Sequence, residues 1–260
     1  MKVVILAGGL GTRITEESAI KPKPMVEIGG MPILWHIMKI YSHYGFNDFI
    51  ICAGYKQHVI KEWFADYFLH TSDITFDYTG DERRMIVHNK RTEHWKVTVV
   101  DTGLNTQTGG RIKRIKEYIG NEAFMLTYGD AVGDIDINGL MECHNRNRTV
   151  GVMSMYNFGQ SKGVVEYGEN GLIDSFREKS MSDGDLINIG FMIFEPEIFD
   201  YIDGDDTSLE REPLRRLAGE HQLAGYVHRG YWQCMDTLNE KNQIEKLWAS
   251  GKAPWRLWDD

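Results

Sequence analysis

The sequence predicts a doubly wound, mostly parallel α/β sheet with an inserted, hairpin-rich portion. Three observations predict it. Short β-branched runs bounded by glycine recur through the first half, as buried parallel strands do. Segments with apolar residues at helical spacing separate those runs. In the second half the alternation gives way to paired, alternating stretches that read as antiparallel hairpins.

Taken in order, KVVILA (residues 2–7) is the first strand, stopped by Gly8 and Gly9. MPILWHIMKIYSHYG (31–45) is predicted helical, with Ile33, Leu34, Ile37, Met38 and Tyr41 on one stripe. Pro32 suits its first turn and Gly45 its end. DFIICAG (48–54) is a second strand. YKQHVIKEWFADYF (55–68) is a second helix, with Val59, Ile60, Trp63, Phe64 and Tyr67 in register. KVTVVDTG (96–103) and AFMLTYGDA (123–131) are further strands, separated by the basic segment GGRIKRIKEYI (109–119), in which a helix begins near Gly110. TVGVMSMY (149–156) and LINIGFMIF (186–194) are strands of the second half. GVVEYGENGLIDSFREK (163–179) is a hairpin turning at Gly168–Gly171. Pro196 and Pro213 punctuate two short helices, and NEKNQIEKLWASG (239–251) is a closing helix before the Trp-rich tail APWRLWDD. The whole reads as one Rossmann-like domain over residues 1–260.

Composition narrows the function. The 260 residues carry 42 % hydrophobic and 26 % charged residues, ordinary for a folded globular chain. The net charge of −9 argues against nucleic acid as a partner. Any anionic ligand must be held by local cations. Cys52, Cys143 and Cys234 are far apart and form no CxxC, which suggests free thiols in a reducing compartment. No run approaches the roughly 18 apolar residues of a membrane span, and the first apolar run ends too early for a signal peptide. The cytoplasm is the expected location.

The opening loop, LAGGLGTRITEESAIKPKPMVEIGG (6–30), sets Gly8, Gly9 and Gly11 before an arginine and two Lys-Pro pairs. It satisfies neither known phosphate fingerprint: Ile14 stands where GxGxxG needs its third glycine, and no GxxxxGK[ST] occurs. A glycine loop after a first strand still offers backbone N–H groups to an anion, and Arg13, Lys21 and Lys23 add positive charge. A solvated surface loop is the alternative reading. The nine histidines form no HxH or HExxH, so a zinc site is not expected. Cys234 has no histidine partner in sequence to make it a nucleophile.

LAGGLGTRI (6–14) and KPKPMVEIGGMPILWHIM (21–38) resemble the signature of the sugar-1-phosphate nucleotidylyltransferases. TYGDAVGDIDI (127–137), the 163–179 hairpin, NIGFMIF (188–194) and GYWQCMDT (230–237) extend the resemblance along the chain. VDTGLNTQTGGRIKRI (100–115) and LWASGKAPW (247–255) resemble the glucose-1-phosphate cytidylyltransferases within that family.

The resemblance implies that residues 1–130 bind nucleotide, 131–237 bind an acceptor, and 238–260 form a closing helix and tail. It implies CTP and glucose 1-phosphate as substrates, Mg²⁺ as cofactor, and CDP-glucose and pyrophosphate as products. Leu6, Ala7, Gly8, Gly9, Gly11, Thr12 and Gly129 would hold the nucleotide, with Thr106, Thr108 and Gly109 reading the base. Arg13, Lys23 and Arg111 would act on the phosphates. Asp130 and Asp236 would hold the metal, because Mg²⁺ takes one or two carboxylates plus phosphate oxygens. Glu178, Lys179 and Asn188 would meet the acceptor. Asp134 and Asp136 are assigned to a turn and a helix start. The acceptor half departs from the family pattern at Ser180, at Ile189 and in GQSKG (159–163). A different phosphorylated acceptor, such as phosphoglutamine in capsule phosphoramidate synthesis, is therefore the second reading. A nucleotide-binding paralogue without catalysis is a third. A homo-oligomer is expected, with the Trp255–Trp258 tail as a candidate contact between subunits.

Overall fold

Strand β1 (Lys2–Ala7) runs through the middle of the principal sheet, and its alternate residues feed two cores. Val3, Ile5 and Ala7 point into one, Val4 and Leu6 into the other. A strand buried on both faces is what the unbroken apolar run dictates. Each such side chain contributes roughly 1.5–3 kcal/mol on burial. The computed structural model describes residues 1–9, 11, 21–80, 82, 84–88, 93–157, 164–167, 173–177 and 186–259.

After β1 come the short antiparallel pair β2 (Glu27–Ile28) and β3 (Met31–Pro32), then β4 (Asp48–Ala53). The ribbon β5 (Asp73–Asp77) and β6 (Arg84–His88) precedes β7 (Lys96–Asp101). β8 (Phe124–Tyr128) is followed closely by β9 (Ala131–Gly133). β10 (Gly151–Asn157), the pair β11 (Val164–Tyr167) and β12 (Ile173–Arg177), and β13 (Leu186–Phe194) begin the second half. β14 (Leu223–His228) and β15 (Trp232–Cys234) end it.

The principal sheet has the order β14-β10-β13-β8-β1-β4-β7. β8, β1, β4 and β7 are mutually parallel, and β10 is parallel to β14. β13 runs antiparallel to both neighbours and joins the two groups. Helices Ile33–His43 and Ile137–Asn147 pack on one core, and Thr108–Arg114 on the other.

The helix expected to begin near Gly110 is present, as Thr108–Arg114 and Lys116–Ile119. Most predicted elements appear, with three differences. The helix expected over 55–68 breaks at Asp66 into Gln57–Ala65 and Tyr67–Thr71. β2, β3, β5, β6, β9, β14 and β15 are strands the pattern did not reveal. β5 and β6 form an isolated two-stranded ribbon whose Phe76 and Met85 face each other, both about half exposed. Finally, the Trp-rich tail docks on its own chain. Trp255 is fully buried, and its indole N–H donates to Nδ1 of His36 (3.4 Å), while Trp248 and Trp258 pack around the same ring.

His36 pairs its Nε2 with the Ile28 carbonyl (2.8 Å). The ring is thus neutral, a donor at Nε2 and an acceptor at Nδ1. Burial holds its pKa down, at about 4 against the usual 6.5. A depressed folded-state pKa gives stability that is intact above pH 6.5 and lost as pH falls toward 4. The loss expected across that window is roughly 3 kcal/mol. Urea unfolding of the protein and of His36→Gln at pH 7 and pH 4.5 checks this. The variant should show the shallower pH dependence, and equal slopes would exclude His36 as the cause.

Candidate active site

The C-terminal ends of β1 and β8 open into one cavity of about 360 Å³. In open α/β sheets ligands bind at that edge. Leu6, Ala7, Gly8, Gly9, Gly11, Thr106, Thr108, Arg111 and Gly129 all line it, as do Lys23 and Asp130. The predicted nucleotide residues are therefore brought together from four separated segments. Gly109 stands just behind the wall, packed against Thr207. Pro24, Gln107 and Tyr128 also line the cavity and were not anticipated. Thr12, Arg13, Glu178 and Lys179 lie outside the described residues, as do Ser180 and residues 159–163.

Lys23 sits in a single 3₁₀ turn, Lys23–Met25, and is buried. Its Nζ reaches Asp130 Oδ2 at 2.6 Å and Asp236 Oδ1 at 2.5 Å. Burial works against the ammonium charge, but the two carboxylates outweigh it and hold its pKa above the usual value. The aspartates meet because β9 and β15 pair antiparallel, with Ala131 opposite Cys234. The Met235 N–H donates to the Asp130 carbonyl (2.8 Å) at the end of that ladder. Asp236 is not a helix cap: Thr237 caps the helix Leu238–Ala249, and Glu240 accepts the N–H of both Asp236 (2.8 Å) and Thr237 (2.7 Å). Asp134 accepts the Tyr231 N–H and Asp136 caps the helix Ile137–Asn147, the structural roles assigned to them.

Arg111 differs from its expected orientation. It lines the cavity, but its two Nη atoms donate to the carbonyls of Gly8 (3.0 Å), Ala53, Gly103 (2.7 Å) and Leu104, and to the Thr102 hydroxyl (2.8 Å). The guanidinium faces the loops that build the cavity wall. Burial pulls its pKa below the usual very high value. A Cβ at Gly8 would fall 2.1 Å from an Arg111 nitrogen, so any larger residue there would displace the guanidinium from its carbonyls. Lys21 also departs from expectation, pairing with Glu27 (2.7 Å).

Asn188 lies on β13 opposite Met155, beside a register shift. Its Oδ1 accepts the N–H of Gly190 (2.9 Å), whose φ of +76° suits glycine. Its Nδ2 points to the Tyr128 hydroxyl at 3.4 Å, next to the cavity wall. Ile189 is 1 % exposed and belongs to the core, so its side chain does not reach an acceptor. Burial, reinforced by Glu240 and Asp236, pushes the Cys234 thiol up to about 12, so it is no thiolate nucleophile.

The chain as a whole is similar to several known proteins. A glucose-1-phosphate cytidylyltransferase of Salmonella typhi is 52 % identical over the full length of both chains. A probable glucose-1-phosphate cytidylyltransferase of Bacillus subtilis (strain 168) is 42 % identical over 99 % of this chain and 100 % of that one. The fold matches a solved UDP-glucose pyrophosphorylase complexed with UDP-glucose, at a TM-score of 0.70 and 17 % identity, covering 96 % of this chain and 98 % of that one. The profile of the nucleotidyl transferase family matches residues 2–239, a span containing every residue of the cavity, and the chain belongs to that family.

Proposed function

We propose that the protein transfers a cytidylyl group from CTP to glucose 1-phosphate, giving CDP-glucose and pyrophosphate. The observation that carries this reading is the Lys23–Asp130–Asp236 cluster beside the glycine-lined cavity. The acceptor phosphate is already ionised, so no general base is needed, and rate comes from positioning and charge stabilisation. The Gly8–Gly11 loop offers N–H groups to the phosphates. Lys23 supplies positive charge where the α-phosphate would lie. Arg111 acts through the loop, holding the Gly8 carbonyl and placing its charge behind the wall.

The residues present fit a hard divalent cation, because two carboxylate oxygens already converge on one cationic nitrogen. Among the described residues no group of three or more His, Cys, Asp or Glu could hold a metal, so the remaining ligands would be phosphate oxygens and water. Bound by Asp130 and Asp236, Mg²⁺ would neutralise charge on the phosphates during transfer. No helix among the described residues is long and apolar enough to cross a membrane, in keeping with a cytoplasmic enzyme. The half-exposed Phe76–Met85 face of the β5–β6 ribbon supports at least a dimer, with light scattering as its check.

The test is pyrophosphate release with CTP, Mg²⁺ and a panel of acceptors. The panel is glucose, galactose and mannose 1-phosphates and glutamine phosphate. Glucose 1-phosphate should lead. Release with glutamine phosphate alone would replace the acceptor and keep the nucleotide.

A further inference from the structure

Glu210 lies outside every motif the sequence singles out, yet it touches both walls of the cavity. Its Oε2 accepts the hydroxyls of Thr108 (2.7 Å) and Ser208 (2.8 Å), and its Oε1 accepts the Tyr128 hydroxyl (2.7 Å). The segment around it also supports the loop that carries Thr108. The Gln107 N–H donates to the Asp205 carbonyl (2.8 Å) and the Gly110 N–H to the Thr207 carbonyl (3.2 Å).

The bonds of Thr108 have only one possible sense. The Leu209 N–H can only donate, so the Thr108 oxygen accepts from it (2.9 Å). A carboxylate oxygen accepts, so the Thr108 hydrogen goes to Glu210. A hydroxyl has one hydrogen and two lone pairs. One lone pair is left, on a residue that lines the cavity.

We infer that Glu210 sets the choice of base, by fixing Thr108 as a pure acceptor toward the cavity. The inference rests on the reading of the cavity as a nucleotide site. An acceptor selects a pyrimidine edge carrying an amino donor, as cytosine does at its 4-position. It rejects the carbonyl that uracil carries there. Glu210 touches Thr108 and not the base, so it is a positioning residue. Without it the Thr108 hydroxyl is free to turn its hydrogen toward the cavity and serve either pyrimidine.

The experiment compares CTP with UTP in turnover, and CMP with UMP in calorimetric binding without turnover. Wild type should favour cytosine in both. Glu210→Ala should lower both preference ratios by roughly tenfold, one misdirected hydrogen bond. Thr108→Val should lower them similarly, and the double variant no further, since both changes remove one device. Glu210→Gln keeps the shape of the side chain and should also lower the ratios. A merely structural role for Glu210 would weaken both nucleotides equally. Unchanged ratios in Glu210→Ala and Glu210→Gln, or a wild type binding CMP and UMP equally, overturns the inference. A wild type that prefers CMP but transfers to no acceptor sinks the transfer reading instead, and the binding ratios still decide this one.

Discussion

Asp130→Asn is expected to fold normally and to lose pyrophosphate release by roughly 10²–10³-fold. The substitution keeps the shape and removes one of two negative charges that converge at the cavity. Asp236 remains paired with Lys23 at 2.5 Å, and the Asp130 side chain is 29 % exposed, so the change in stability should stay within about 1 kcal/mol. The diagnostic is the Mg²⁺ dependence of the rate. The variant should need much more Mg²⁺ for half its own maximum, while CTP binding without metal changes little. Wild-type rates at ordinary Mg²⁺ would remove Asp130 from the metal assignment.

Arg111→Met should be the most damaging single change to the fold around the site. It deletes a buried cation and leaves four backbone carbonyls and the Thr102 hydroxyl without their shared donor. Removing one partner from a buried charged network typically costs about 3–5 kcal/mol. In a chain of this size that is a fall in Tm of roughly 10 °C. Activity should fall with it, because Gly8 and Gly103 are no longer tied together. Arg111→Lys should rescue little, since a point charge cannot serve acceptors spread around a planar fork. Scanning calorimetry with CTP titration checks both variants. Near wild-type Tm and CTP affinity in Arg111→Lys would show that charge alone matters.

Legibility in the sequence followed the range of the interactions. β1, β4 and β8 were readable because burial on both faces writes a continuous apolar run, and the half-buried edge strand β7 because of its β-branched residues. β15 was not, because three residues carry no period, and it exists by pairing with β9 a hundred residues earlier. The β5–β6 ribbon was missed for a related reason: its polar and apolar residues interleave with charge, and neither face is buried deeply enough to mark it. At the site, the glycine loop and Lys23 were legible as a local motif. The orientation of Arg111 was not, since its partners are backbone carbonyls, which no residue type announces. Glu210 was invisible for the same cause, its three hydroxyl partners coming from three segments. Trp255 was read as a contact for another subunit, whereas His36 offers it a place at home.

The reversed strand β13 has a bearing on how the chain comes together. Everything the four parallel strands need is present once residue 128 has been made. The other half of the sheet must wait. β10 has no place beside β8 until residues 186–194 arrive to lie between them. A nascent chain can thus assemble its four parallel strands early, while β10 keeps a bare edge until β13 arrives. That strand carries Asn188, so the two sides of the cavity acquire their relative placement in the same event that links the two groups of strands.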